Sequence, residues 1–597
     1  MAFTVWAPRP ARVELRLVTG ARPGVHPMRA RSGGFFTVLV EGAAPGDRYF
    51  YRLDGVDRPD PCSRFQPEGV HGPSEVVDPA AFVWRCPDFR APALAELVLY
   101  ELHVGSFTEE GTFDAAAREL PGLCELGITA VELMPVAQFP GERDWGYDGV
   151  ALFAAQSSYG GPPGYRRFVD AAHANGLAVI QDVVLNHLGP EGNYLAEFGP
   201  YFSESVQTPW GPALDLDGPG AAPIREYLLQ SALVWLSEAN ADGLRLDAVH
   251  ALRDRSARHL LAELADRTEA LRRSTARPLH VIAESDDNDV RIVQPRSQGG
   301  YGLDAVWADD FHHALHALLT CEHRGYYQDF GSVGHLAAAM QQGFVYEGQW
   351  SAYRGGPHGT LARGVPTDRF VICTQNHDQV GNRAVGERLS ALVPPGAERL
   401  ATVALLVAPG LPLLFMGQEY GELRPFLYFT SYGDPALGRA VTEGRRAEQG
   451  FEAGGHVPDP QDPATFLASK LDRSVLSRPR HRGLRYLVHD LLELRRWLPA
   501  LRTTDRALVG AEADEHRRLL RLLRGRPGER ILALFSFSPE PSAWEGFVPE
   551  GGWELLLDAA HARYGGPGAG PSRLRGGFEE VLLPGWSARV YRELPPG

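Results

Sequence analysis

The stretch GLRLDAVH, residues 243–250, is a short apolar run with two charges set inside it. Leu244, Leu246, Ala248 and Val249 predict a buried strand. Arg245 and Asp247 lie two residues apart, and side chains two apart on a strand share a face. A guanidinium and a carboxylate on one buried face must serve each other. A cation at close range keeps a carboxylate ionised and oriented.

Runs of the same kind recur on both sides of it. LVLYELHVGSF, ITAVELMPV and LAVIQDVVLNH precede it; HVIAES, AVWADDF, RFVICTQNHD and LPLLFMGQE follow. Between them lie amphipathic stretches such as GYRRFVDAAHANG and IREYLLQSALVWLSEANA, each ending at turn-prone residues. Strand–helix alternation predicts a parallel sheet, and about eight strands predict a closed (β/α)8 TIM barrel rather than an open sheet. No glycine-rich phosphate fingerprint follows the first run, which argues against an open dinucleotide-binding fold. The barrel is expected over residues 91–502, with a Gly-, Pro- and aromatic-rich loop insertion at 188–220.

Outside that span the pattern turns all-β. FTVWAPRPARVELRLV and GGFFTVLVEGAAPGDRYFYRLDG alternate apolar and polar residues, predicting an N-terminal β-sandwich over residues 1–90. RRLLRLLRG, ILALFSFS, WELLLDA and ARVYREL predict a C-terminal antiparallel β-domain over 503–597.

The 597 residues exceed what one hydrophobic core holds. A formal charge of −15 argues against nucleic acid or an anionic membrane as partner. MAFTVWAPRP lacks the basic and apolar regions of a secretion signal, and no apolar run is long enough to span a membrane, so a cytoplasmic protein is expected. The cysteines (Cys62, Cys86, Cys124, Cys321 and Cys373) are scattered and odd in number, so their spacing predicts neither a disulfide framework nor a zinc site.

In a barrel of this kind chemistry collects where the strands end. The third run ends in Asp182, Asn186 and His187, the fourth in Arg245 and Asp247, and the fifth in Glu284. Asp309 and Asp310 end the sixth; Asn376, His377 and Asp378 end the seventh. Any one of them reads as a helix cap or a solvated acid. Together they converge on one mouth, and the chemistry that fits is glycosyl transfer. One carboxylic acid must protonate the leaving oxygen while a second, about 5–5.5 Å away in a retaining enzyme, attacks carbon. Neighbouring fourth and fifth strands supply that spacing through Asp247 and Glu284. Arg245 favours ionised Asp247, while the apolar HVIA before Glu284 favours a protonated acid.

DVVLNH, GLRLDAVH, the Glu of VIAESD and NHDQ, in that order, resemble the four signature regions of the α-amylase superfamily of glycoside hydrolases. The resemblance covers the barrel and both flanking β-modules, the first being like a carbohydrate-binding module. It implies Asp247 as nucleophile, Glu284 as general acid/base, and Asp378 as the residue that stabilises the transition state. It implies that His187 and His377 bind the sugar at the cleaved bond, with Tyr147 of WGYDG stacking on its ring. Arg245 and Asp182 would support the nucleophile, and Asn186 would order the loop backbone.

WGYDGVALFAAQSSYGGPPGYRRFVDAAHANG, AESDDND, WADDFHHALHALLT, EHRGYYQDF and NHDQVGNRAVGER are similar to the maltooligosyltrehalose trehalohydrolase family within that superfamily. This implies hydrolysis of the α-1,4 bond next to the terminal trehalose of maltooligosyltrehalose, with no cofactor, and a pathway link to the synthase that makes the substrate. Substrate contacts would run from Arg245 to His250, through Asp309, Asp310, Phe311, His312 and His313, and from His377 through Gln379 to Asn382. Glycogen branching enzyme is the alternative, although its family pattern differs after the seventh strand and after the acid. A non-catalytic α-glucan-binding barrel is the other, and it conflicts with the presence of all three carboxylates.

No metal is expected. Adjacent His312 and His313 are badly placed to share an ion. His250-Ala251 stands where the resemblance places Lys-His in calcium-dependent relatives. The loop tryptophans Trp145, Trp210 and Trp350 are candidates for sugar-stacking surfaces, with ordinary packing as the alternative for each.

Overall fold

Eight short parallel strands close into a barrel: β1 (Leu99–Leu102), β2 (Ala130–Leu133), β3 (Ala178–Val183), β4 (Gly243–Leu246), β5 (His280–Ala283), β6 (Ala305–Trp307), β7 (Phe370–Cys373) and β8 (Leu411–Phe415), with β8 pairing back onto β1. This computed structural model describes residues 1–208, 211–449, 457–568 and 570–595. Every residue of β1 to β5 is buried. Strands covered on both faces need no polar side, which is why they read as unbroken apolar runs instead of alternating ones.

The outer layer follows from amphipathic helices with legible ends. α1 (Phe113–Leu126) starts where the Thr112 side chain accepts from the Ala115 N–H, and it stops at Gly127, whose φ of +105° a glycine takes without strain. α2 (Gly161–Ala174), α3 (Ala221–Ser237) and α4 (Leu260–Thr275) cover the next strands. α5 (Asp309–Thr320) follows β6, a single-turn α6 (His377–Gly381) and the longer α7 (Pro395–Val407) follow β7, and α8 (Pro479–Trp497) follows β8. The β5–β6 connection departs from strict alternation. It carries two 3-10 turns, Val290–Ile292 and Arg296–Gln298, with no α-helix between the strands.

The N-terminal strands form two small antiparallel sheets. In Arg48–Leu53 alternate residues point inward, and Tyr49, Tyr51 and Leu53 fill the space between the sheets. The C-terminal strands make a six-stranded antiparallel sheet and a two-stranded one. The insertion at 188–220 has more order than a loop: it holds a helical turn, Leu195–Phe198, and a hairpin of Phe202–Thr208 with Gly211–Leu214. Its aromatics explain the difference. Tyr201 packs edge-on against Trp6 of the N-terminal sheets at 5.2 Å, and the Arg9 N–H donates to the Phe198 carbonyl. Among the described residues no helix is long and apolar enough to cross a membrane.

Candidate active site

Register places the first pair of acids. In the β4–β5 ladder Leu246 lies opposite Ala283, so the next residue on each strand, Asp247 and Glu284, leaves the barrel at the same level. On the other side Asp182 of β3 lies opposite Arg245 of β4. Arg245 is fully buried. Its Nη1 donates to Asp182 Oδ2 at 2.8 Å and to Asp247 Oδ1 at 2.9 Å, while its Nη2 stands 3.6 Å from Glu284 Oε2. The guanidinium rests over the Trp307 ring, 4.5 Å from its centroid. One cation thus ties three carboxylates from three adjacent strands.

The backbone after Asp247 completes the link. Ala248 takes the left-handed conformation, φ 37° and ψ 55°, which a side chain with a Cβ adopts only at a cost of about 1 kcal/mol. That turn aims its N–H at Glu284 Oε2, to which it donates. Asn186 steadies Asp247 from the β3 side, donating to both its backbone carbonyl and Oδ2 at 2.9 and 2.8 Å.

Burial pushes the Glu284 carboxyl well above the ordinary range. Arg245 opposes the shift, and the charges of Asp247, Asp378 and Asp309 add to it. The site therefore offers a proton-carrying acid beside a carboxylate paired with a cation, the division of labour that glycosidic cleavage requires. Burial also raises Asp182, to about 6, with Arg245 pulling the other way.

The remaining wall comes from β7 and the loop after β2. The Asn376 side chain caps α6 by accepting from the N–H groups of Asp378 and Gln379, and so fixes the Asp378 carboxylate at the mouth. Tyr147 donates to Asp182 Oδ2, sits 2.8 Å from His377 Nε2 and stacks one face of its ring on His377 at 5.1 Å. His187 Nε2 is 3.1 Å from the Tyr147 carbonyl, and its Nδ1 meets Asn186 Oδ1. Asp182, Asn186, His187, Arg245, Asp247, Glu284, His377, Asp378 and Tyr147 are thus brought together.

The run Asp309–His313 is not. It lies in α5, where successive side chains turn by about 100° and cannot all face one mouth. Asp309 is half-buried at the mouth, and its carboxyl is pushed up to about 7 by burial and then by Asp378, Asp286 and Asp310. Asp310 turns inward instead, where one oxygen accepts from the Val345 and Tyr346 N–H groups and from Asn288 Nδ2. Phe311 is buried in the core, and the two ring nitrogens of His312 are taken by the Thr374 carbonyl and the Tyr327 hydroxyl. His313 packs on Tyr326. Asp310, Phe311 and His312 are therefore each held by contacts within the protein.

His250 is half-buried and 3.7 Å from Asp286 in the loop after Glu284. Gln379 is buried, and Asn382 donates to Asp378 Oδ1 at 3.3 Å while accepting from Arg445. Trp145 is core: it is buried, stacks on Phe426, and gives its indole N–H to the Leu427 carbonyl. Trp350 is 66% exposed, and Trp210 lies outside the described residues.

Two site residues escaped the sequence reading. Glu101 of β1 bonds His377, and Glu132 of β2 lies opposite Glu101; both are buried in the barrel. The signal that exposed Arg245, a charge inside an apolar run, is present in LVLYELH and AVELM as well.

The family model for the alpha amylase catalytic domain matches residues 95–209, and that for carbohydrate-binding module 48, the isoamylase N-terminal domain, matches residues 1–81. A closed parallel barrel with paired carboxylates at its mouth, preceded by such a module, defines a glycoside hydrolase of the alpha-amylase class. The chain is 47% identical to a malto-oligosyltrehalose trehalohydrolase of Saccharolobus solfataricus over 80% of its length and 82% of the relative's. It is 46% identical to one of Arthrobacter ramosus over 96% and 99%. A crystal structure from Salmonella typhimurium, provisionally assigned as an alpha amylase, superposes with a TM-score of 0.89 at 39% identity, covering 99% of this chain and 97% of that one. The chain belongs to the malto-oligosyltrehalose trehalohydrolase family.

Proposed function

We propose that this enzyme hydrolyses the α-1,4-glucosidic bond next to the terminal trehalose of maltooligosyltrehalose, with retention at the attacked carbon, and releases trehalose. Asp247 attacks the anomeric carbon while Glu284 gives its proton to the departing trehalose oxygen. Water, deprotonated by Glu284, then breaks the glycosyl–Asp247 ester. Asp378, from the opposite wall, holds sugar hydroxyls and stabilises the positive charge that develops on the ring. His187, His377 and Tyr147 line the subsite of the attacked sugar, and Asp182 with Arg245 fixes the nucleophile. The substrate class is α-glucan, and the partner reaction upstream is the synthase that forms maltooligosyltrehalose.

The observation that carries this reading is the join between the two acids: Arg245 bridges Asp247 and Glu284, and Ala248 turns its N–H onto Glu284. Incubation with maltooligosyltrehalose tests it. Trehalose should appear together with a maltooligosaccharide whose new reducing end is first formed as the α-anomer. New branches without free trehalose would favour glucan branching, and no reaction at all would favour a binding barrel. A β-anomer at first release would exclude the covalent intermediate.

A further inference from the structure

The ladder between β1 and β2 sets Glu101 opposite Glu132 on the floor below the acids, each 1% exposed. A buried carboxylate survives as an ion only with a partner. Glu101 has one on a different strand: its Oε1 lies 2.5 Å from His377 Nδ1, and its Oε2 accepts from the His377 backbone N–H at 3.0 Å. Both contacts fall on the residue immediately before Asp378, so Glu101 sets the ring and the start of α6 at once.

The hydrogen bonds also count the protons on that ring. A carboxylate only accepts, so Nδ1 carries a proton. The other nitrogen, Nε2, meets the Tyr147 hydroxyl at 2.8 Å. That hydroxyl has a single proton and gives it to Asp182 Oδ2, while Arg245 Nη1 donates to the Tyr147 hydroxyl oxygen from 3.3 Å. With that proton on Asp182 the hydroxyl accepts towards His377, and Nε2 then donates. In this arrangement both ring nitrogens are donors, which is the imidazolium.

We propose that Glu101 is a positioning residue that holds His377 doubly protonated, presenting its Nε2–H on the cleft floor between the Tyr147 hydroxyl and the Asp378 carboxylate. The consequence for turnover rests on the reading of the cleft given above; the protonation state does not. The surrounding groups agree. Burial alone would lower the pKa of His377, but the charges of Glu101 and Asp378 outweigh it and the opposing Arg245, and raise it to about 9. Glu132 is pushed well up by burial and by Glu101, which keeps it neutral, and buried His103 is lowered to about 4. Asp182, hydrogen-bonded to Tyr147, completes the set facing the ring from β3. Glu101 is thus the close charge that selects the cationic ring, and losing it should empty Nε2 of its proton.

The test reads His377 directly, in nitrogen-labelled histidine by NMR, with the signal assigned by its absence in His377→Gln. In the wild-type protein without substrate, both ring nitrogens should read as protonated near neutral pH. In Glu101→Gln the titration should fall by about two to three pH units or more, so that the ring becomes largely neutral there. The alkaline limb of activity should move down with it, and kcat should fall about a hundred-fold, more than KM rises. Glu101→Asp, which keeps the charge, should recover part of the limb. A neutral His377 in the wild type overturns the proposal whether or not the variants fold. So does a Glu101→Gln protein whose titration and pH profile match the wild type. An imidazolium in a protein that releases no trehalose leaves this proposal standing and removes the substrate reading instead.

Discussion

Asp247 and Glu284 stand one residue beyond a hydrogen-bonded pair, Leu246 of β4 and Ala283 of β5, and the Glu284 N–H donates to the Leu246 carbonyl at 2.9 Å. Their spacing is therefore a property of the ladder, not of a mobile loop. A sheet ladder tolerates little sliding, because a one-residue slip turns every side chain to the other face.

Asp247→Ala should leave the fold intact and reduce turnover at least about a thousand-fold, since it removes the attacking oxygen. Near-normal turnover would remove Asp247 as nucleophile.

Glu284→Gln should slow natural substrates by about a hundred- to ten-thousand-fold. It should spare the first step for an α-glucosyl fluoride, whose leaving group needs no proton. A covalent glycosyl-enzyme should then accumulate and be visible by mass spectrometry. Equal loss on both substrates would deny Glu284 the proton. Because burial and neighbouring carboxylates raise Glu284, activity on natural substrates should persist to a pH above the usual glutamate range. It should fade as pH rises through that raised value.

Asp310→Ala separates scaffold from substrate contact. It strips a shared acceptor from two backbone N–H groups and Asn288, which should lower stability by about 2–4 kcal/mol. The folded fraction should keep kcat/KM within a few-fold. A variant that melts like the wild type but binds its sugar poorly would restore Asp310 to the substrate.

Glu322 offers a pH test of stability. Its carboxylate meets His316 Nε2 at 2.8 Å and takes a two-pronged contact from Arg383, just beyond α6, at 2.8 and 2.9 Å. These bonds, that to His316 foremost, hold it at about 2. A lowered folded pKa stabilises above the unfolded value, about 4.3, and the benefit disappears as pH falls through 2. The melting temperature of Glu322→Gln should therefore trail the wild type by a few degrees near neutrality, and the gap should close in acid. A gap that ignores pH would make the contact one of packing alone.

The barrel and the acids at its mouth could be seen in the chain because both are written in local pattern. Strands buried on both faces are apolar runs, and the acids sit where those runs end, as Asp182, Asp247 and Glu284 do. What escaped was direction. DDFHH reads as a polar run at a strand end, yet α5 has already begun, so its members point apart and Asp310 turns to the core. Glu101 was hidden for the opposite reason: it lies inside its run, and its partner His377 is 276 residues away. The missing helix between β5 and β6 and the hairpin of the insertion depend on long-range packing that no local period encodes.

Ala248 sets endurance against speed. Glycine adopts its left-handed backbone freely, so Ala248→Gly should unfold at a higher temperature if the relief exceeds the gain in chain freedom, which for glycine is smaller than the strain it removes. The same exchange loosens the turn that steers an N–H onto Glu284. The methyl group thus trades heat resistance for aim, and a lineage adapting to hotter surroundings would gain robustness there only by accepting a slower enzyme.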